Sequence, residues 1–261
     1  MMSGLYRMSK ATETQKERSL TYHGSARHHA APHIKFVTIS QTPRHDIVPE
    51  MLAWVGNPVE PVEFGALDGM SPDQIQTLAP VGNERRFVSR LADGNEVALS
   101  ASRMHERVAA LLEKTDQRGL AGIVLLCTGR FPEIRLRTPF VSAQAAVDHG
   151  ALALAETVSR IGILVPHEEQ ARDAEMRGSF AENAEHVGIA LNVGARVKAS
   201  HATPYRNGRF EEAARDLADT DLIVMHCMGY DEAMLARVRV ASGRPTLLAR
   251  RLVASALRQL L

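Results

Sequence analysis

From residue 34 onward, short runs of β-branched apolar residues alternate with longer stretches whose apolar positions return every three or four residues. The first kind reads as buried strand and the second as helix with one apolar face. Strands are expected at 34–39, near 59–64, at 123–127, at 161–165, near 189–197, at 223–227 and at 245–248. The helices between them begin where cap-and-proline chemistry allows: Thr42-Pro43 opens one that runs to about Val55, and Ser71-Pro72 opens a short one. Ser100 opens a third, whose Met104, Val108, Leu111 and Leu112 form one stripe before Gly119 ends it. An alanine-rich helix follows over about 142–157, one starts at Pro166, and one carries Phe210, Ala213, Ala214 and Leu217. One more follows Gly229, and a closing helix runs to Leu261. Between Arg86 and Leu99 two alternating runs flank Asp93-Gly94 and predict a β-hairpin.

This β/α alternation implies parallel sheets with right-handed crossovers. The expected fold class is therefore α/β, with two pseudo-symmetric, doubly wound lobes, mainly parallel sheets and a cleft between them; the hairpin is a small insertion in the first lobe. Residues 1–33 hold few large apolar side chains and no sustained period, so they are expected to be a flexible N-terminal extension. His23, His28 and His29 in that arm are read as loose histidines and not as metal ligands.

Two of the predicted strands share a pattern one hundred residues apart. Ile123-Val124-Leu125-Leu126-Cys127-Thr128-Gly129 and Ile223-Val224-Met225-His226-Cys227-Met228-Gly229 each end in a cysteine and a glycine-containing turn, and these are the only 2 cysteines in the chain. Open α/β sheets bind ligands at the carboxyl ends of their strands. Either cysteine alone is better explained as a small buried hydrophobe. The matched placement points instead to two thiols meeting across a cleft, with the positive end of the helix after Cys127 favouring a thiolate. Gly129 and Gly229 would allow sharp turns that bring amide N–H groups toward a ligand, or serve ordinary turn geometry. Thr128 offers a hydroxyl beside the first thiol, which Met228 cannot offer beside the second.

The loop after the first strand supplies the next candidates. Arg44, with Gln41 and Thr42 in the same loop, could hold a carboxylate through two parallel hydrogen bonds; pairing with Asp46 or Glu50 is the alternative. Substrate contact is thus expected from Gln41, Thr42, Arg44, Thr128, Gly129, Met228 and Gly229.

Charge narrows the partners. The 31 basic and 30 acidic residues leave a formal net charge of +1, which gives no bulk electrostatic case for nucleic acid or a membrane surface. No stretch approaches the roughly 18 apolar residues of a membrane span, and the polar segment 9–31 lacks a secretory signal's apolar core, so a cytoplasmic location is expected. Dinucleotide, P-loop, Cys-x-x-Cys and His-Glu-x-x-His signatures are absent. His226 and Cys227, as strand neighbours, should point to opposite faces, so no metal site is expected.

Thr38-Ile39-Ser40-Gln41-Thr42-Pro43-Arg44, followed by Asp46 and Val48-Pro49-Glu50, resembles the start of the AroM family, and the Leu-Leu-Cys-Thr-Gly and Cys-Met-Gly segments are similar too. The resemblance spans residues 34–261 and links the chain to the aspartate, glutamate and hydantoin racemase-like superfamily. It implies acid-base roles for Cys127 and Cys227 without a cofactor. It also implies that the C-terminal strand and helix return to the first lobe, making that lobe 34–141 plus 230–261 and the second 142–229. Racemases of the superfamily typically follow their cysteines with Asn-Thr and Thr-His, where this chain has Thr128-Gly129 and Met228-Gly229, so an ordinary glutamate or aspartate substrate is in question.

The expected function is an isomerase-like enzyme that moves a proton on a small carboxylate-bearing metabolite, with no cofactor. Alternatives are a lyase or decarboxylase using one cysteine, and a non-catalytic metabolite-binding protein with inert thiols. A homo-oligomer is compatible with the sequence, which does not specify the assembly.

Overall fold

In the computed structural model of the chain, residues 31–155, 158–177 and 196–261 are described. The arm with its three histidines lies almost entirely outside them, as do residues 189–195 of the strand expected near 189–197.

Two parallel four-stranded sheets organise the rest. The first joins β1 (His33–Thr38), β2 (Glu60–Gly65), β5 (Gly122–Leu125) and β6 (Phe140–Ser142) in the order β2-β1-β5-β6. The second joins β7 (Arg160–Val165), β8 (Arg196–His201), β9 (Leu222–Met225) and β10 (Thr246–Leu248) in the order β10-β9-β7-β8. Counted along the chain, both halves have the same order, second-first-third-fourth, and each cysteine follows its half's third strand. Strands β3 (Arg86–Arg90) and β4 (Glu96–Ser100) form the expected antiparallel hairpin, with Gly94 turning at φ 89°.

The last strand corrects one expectation. Thr246, Leu247 and Leu248 pair with Ile223, Val224 and Met225, so β10 completes the second sheet and does not return to the first. Only the closing helix α8 (Ala249–Arg258) reaches back, packing on α1 (Val48–Val55) and α4 (Ala143–Ala155).

Alternation along the strands builds three apolar layers. Phe36, Val124, Ile163 and Val224 face inward onto Met51 of α1, Val147 of α4 and Val253 of α8, so one continuous core fills the space between the sheets. On the far side of the first sheet, Val37, Ile123 and Leu125 pack on Met104, Val108 and Leu112 of α3 (Ala101–Thr115). The second sheet's outer face, with Ile223 and Met225, packs on Phe210 and Ala214 of α6 (Phe210–Asp216) and Leu235 of α7 (Glu232–Ser242).

Helix starts depart from the expected caps in two places. Thr42 does not open α1: its amide and hydroxyl both bond the Asp68 carboxylate at 2.8 Å, and the helix begins at Val48, with Pro49 in its first turn. Helix α5 (Glu168–Arg177) likewise begins two residues after Pro166. Ser71, by contrast, makes a full capping box with Gln74 for α2 (Pro72–Gln76). Helix α3 stops at Thr115, and Gly119, at φ 88°, turns the loop beyond it.

Candidate active site

The carboxyl ends of the central strands open onto a cavity of about 430 Å³, within the range of small-molecule sites. Cys127, Thr128 and Gly129 line it from the first half, and Cys227, Met228 and His226 from the second. Each thiol sits in the same local turn. Gly129 N–H donates to Cys127 Sγ at 3.4 Å, and Gly229 N–H donates to Cys227 Sγ at 3.3 Å. The two sulfurs are close enough for charge on Cys227 to oppose ionisation of Cys127.

The glycines are required by what covers them. A Cβ on Gly129 would lie 2.4 Å from the Phe87 ring of the hairpin, and one on Gly229 would lie 2.7 Å from the Tyr205 hydroxyl and from Pro204. Thus an aromatic side chain closes over each cysteine turn, from β3 in one half and from the loop after β8 in the other. Phe87 is held in place by His105 and Phe131, with ring centroids 5.6 and 5.1 Å away.

Both cysteines are buried, and burial raises both thiols. Cys127 is pushed up to about 12 by desolvation, against the Gly129 N–H and the Arg44 charge. The expected helix end near it is not there, because the chain runs without a helix from Cys127 to β6. Cys227 is also raised by burial, but more groups oppose the effect: the Gly229 N–H, Arg250, Arg44 and the Tyr205 hydroxyl. Arg250 reaches this turn from α8. Its Nε donates to Met228 O at 2.7 Å and its Nη2 to Gly229 O at 3.1 Å, while Nη1 lies 3.1 Å from Glu50.

Arg44 lines the cavity, but its guanidinium is engaged. Nε and Nη2 each donate to Asp46 at 2.8 Å and Nη1 donates to Thr38 Oγ1 at 2.9 Å, so the pairing alternative holds. Asp46 is drawn below the ordinary carboxylate range: burial resists its ionisation, and the Arg44 hydrogen bond and charge outweigh that resistance. Gln41 and Thr42 do not line the cavity. Gln41 accepts from the Ala92 amide in the hairpin turn, and Thr42 is bound to Asp68, so their proximity to Arg44 in sequence is not proximity to the site. Gly229 also stays outside the lining and acts through its amide.

His226 departs from the strand argument. Because β9 ends at Met225, His226 and Cys227 are no longer on alternating faces, and both line the cavity. Its Nε2 lies 2.6 Å from Asp148 Oδ1, Gln144 donates to the other Asp148 oxygen, and the Thr128 hydroxyl donates to His226 O at 3.1 Å. The cysteine turns of the two halves are thereby tied together. Among the described residues no cluster of three His, Cys, Asp or Glu could hold a metal ion, and no helix is long and apolar enough to cross a membrane.

The family model of the AroM protein matches residues 34–261 of this chain. The chain belongs to the AroM family. No curated protein sequence matches it. Among solved structures, this AroM-family protein resembles an aspartate racemase from Picrophilus torridus, at 9% identity over 88% of this chain and 94% of that one, with a TM-score of 0.52. An unliganded arylmalonate decarboxylase matches at 13% identity over 88% and 92%, with a TM-score of 0.51. A glutamate racemase isoform from Bacillus anthracis matches at 13% identity over 89% and 82%, also with a TM-score of 0.51. The chain thus shares the α/β fold of these proteins.

Tyr205, Arg250, Phe87, His105 and the Asp148–His226 pair are the cavity and turn-supporting residues that sequence reasoning missed. Tyr205 had a usable signal, since it follows β8 at the sheet edge where the cysteines lie; ending that strand near Val197, when it runs on to His201, hid it.

Proposed function

We propose that this AroM-family protein is a cofactor-independent, racemase-like isomerase that moves a proton on a small carboxylic acid, with Cys127 and Cys227 as the acid-base pair. One observation carries the reading: two thiols, each in the same amide-bonded turn at equivalent strand ends, line a single cavity.

Cys227, with Arg250, Arg44 and Tyr205 opposing the effect of burial, is the better placed to act as thiolate. Its sulfur removes the α proton and becomes a thiol, leaving a planar enolate. Cys127 S–H then delivers a proton to the opposite face and becomes the thiolate, so configuration inverts and the α position exchanges with solvent. Burial that raises a thiol toward about 12 narrows its gap to a weak carbon acid, which favours transfer once the thiolate forms. Amides of the two turns would stabilise charge on the enolate.

The unequal surroundings of the two sulfurs favour one further reading, a decarboxylase in which loss of carbon dioxide leaves the carbanion and a single cysteine protonates it. Proton NMR in D2O against a panel of small α-substituted acids tests the pair, and carbon dioxide release from phenylmalonate tests the second reading. Cys127→Ser and Cys227→Ser should each abolish α-deuterium incorporation; full exchange in both variants rejects the two-thiol mechanism.

A further inference from the structure

The turn after Cys227 is held from outside by one side chain. Arg250, at the start of the closing helix α8, is only 1% exposed, and its guanidinium grips two consecutive carbonyls: Nε donates to Met228 O at 2.7 Å and Nη2 to Gly229 O at 3.1 Å. Its third nitrogen, Nη1, lies 3.1 Å from the Glu50 carboxylate of α1, which supplies the counter-charge. A guanidinium has no acceptor and does not lose its proton in a protein, so this clamp donates at every working pH.

The clamp aims a hydrogen bond. Met228 C=O and Gly229 N–H belong to one peptide unit, which is planar and trans, so they point in opposite directions. Holding Met228 O against Arg250 therefore turns Gly229 N–H the other way, where it donates to Cys227 Sγ at 3.3 Å. A positive charge at the carbonyl end also polarises the unit and strengthens its N–H as a donor. Burial raises the Cys227 thiol, and that amide and that charge both work against it. Arg44, Cys127, Tyr205 and Tyr230 also face this sulfur, and Asp46 acts on the Arg250 guanidinium. We infer that Arg250 is a positioning residue that makes Cys227 the resting base of the cavity, acting through the peptide unit of Met228 and Gly229 and restrained by Glu50. The inference rests on the reading of Cys227 as the working thiolate. It gives the last helix of the chain a task at the site, although Arg250 itself does not line the cavity.

With Cys127→Ser as the background, Cys227 is the sole cysteine, and NMR of cysteine isotopically labelled at Cβ follows its ionisation as pH is raised, with no substrate needed. Arg250→Met removes both charge and clamp and should weaken the thiol as an acid by about tenfold, the value of a charge-assisted hydrogen bond. Arg250→Lys keeps the charge as a single point without the planar fork, so it should weaken the thiol too, by less. Glu50→Gln relieves the guanidinium of its counter-charge and should strengthen the thiol severalfold, a sign that mere loss of packing would not give. Arg251→Gln, on the same helix but paired with Glu232, should change nothing. Melting temperatures identify any variant that has lost its fold; if the Arg250 variants are among them, the sign of the Glu50→Gln change decides. The inference is overturned if folded Arg250 variants ionise like the background protein, if Glu50→Gln weakens the thiol or leaves it unchanged, or if Arg251→Gln shifts it as far as Arg250→Met does. It is overturned as well if none of the Arg250 and Glu50 variants folds, or if Cys227 in the background protein stays protonated until the chain unfolds. Deuterium exchange in the wild type and the cysteine variants tests the enzyme reading separately. Ionisation that follows Arg250 and Glu50 in a protein that exchanges no acid would sink that reading alone, whereas exchange lost in the cysteine variants, with ionisation indifferent to Arg250, would sink this assignment alone.

Discussion

At the scale of single residues, the same burial that shapes the thiols makes a stability prediction. Cys127 keeps its proton in the folded protein up to about 12, whereas an unfolded chain releases it near an ordinary pKa of roughly 8.5. Below that lower value both states hold the proton and the contribution is intact; above it the unfolded state binds fewer protons, so stability falls as pH rises toward the folded value. Urea unfolding should therefore show the wild type losing about 2 kcal/mol more than Cys127→Ser between pH 8.5 and pH 10.5. Equal losses in the two proteins would contradict the burial of this thiol. The cysteines and their glycines were legible in the sequence because a repeated residue type needs no knowledge of packing. Arg250 was not: an arginine on a helix reads as solvent-facing, and only the folded chain brings Glu50 and two carbonyls to it.

At the scale of elements, the hairpin does more than decorate the first half. Glu96 on β4 accepts from the Thr203 hydroxyl and lies 3.4 Å from His167, and Arg86 on β3 reaches Glu169, so both strands are fastened to loops and helix starts of the second half. Glu96→Ala should unfasten one strand at a cost of about 1 kcal/mol. Hydrogen-deuterium exchange should then quicken in the amides of 86–100 while the strands of both sheets stay protected; unchanged protection of the hairpin would show that its own packing on Gly129 and His105 suffices. The hairpin could be read from alternation around Asp93-Gly94, since its determinants are local. The partner of β10 could not, because a strand of three residues carries no periodicity that says which sheet it joins.

At the scale of the molecule, the inner faces of both sheets share one core with α1, α4 and α8, and α8 is the last helix of the chain. Neither half closes its own apolar surface. Calorimetry on residues 31–261 should give one transition with equal calorimetric and van't Hoff enthalpies, and a fragment ending before α8 should fail to show it. Two separated transitions would mean that each half folds alone. The repeated strand order was legible as β/α alternation, but the shared core was not, since sequence periodicity marks a buried face without naming what buries it. The hairpin enters one half only, so the duplicated frame carries unequal walls: Phe87 on the side of Cys127, Tyr205 on the side of Cys227. For an enzyme that interconverts mirror images, such handedness of the pocket can make turnover and saturation differ between the two enantiomers. It cannot change their equal free energies, so the ratio of turnover number to Michaelis constant must come out the same in both directions.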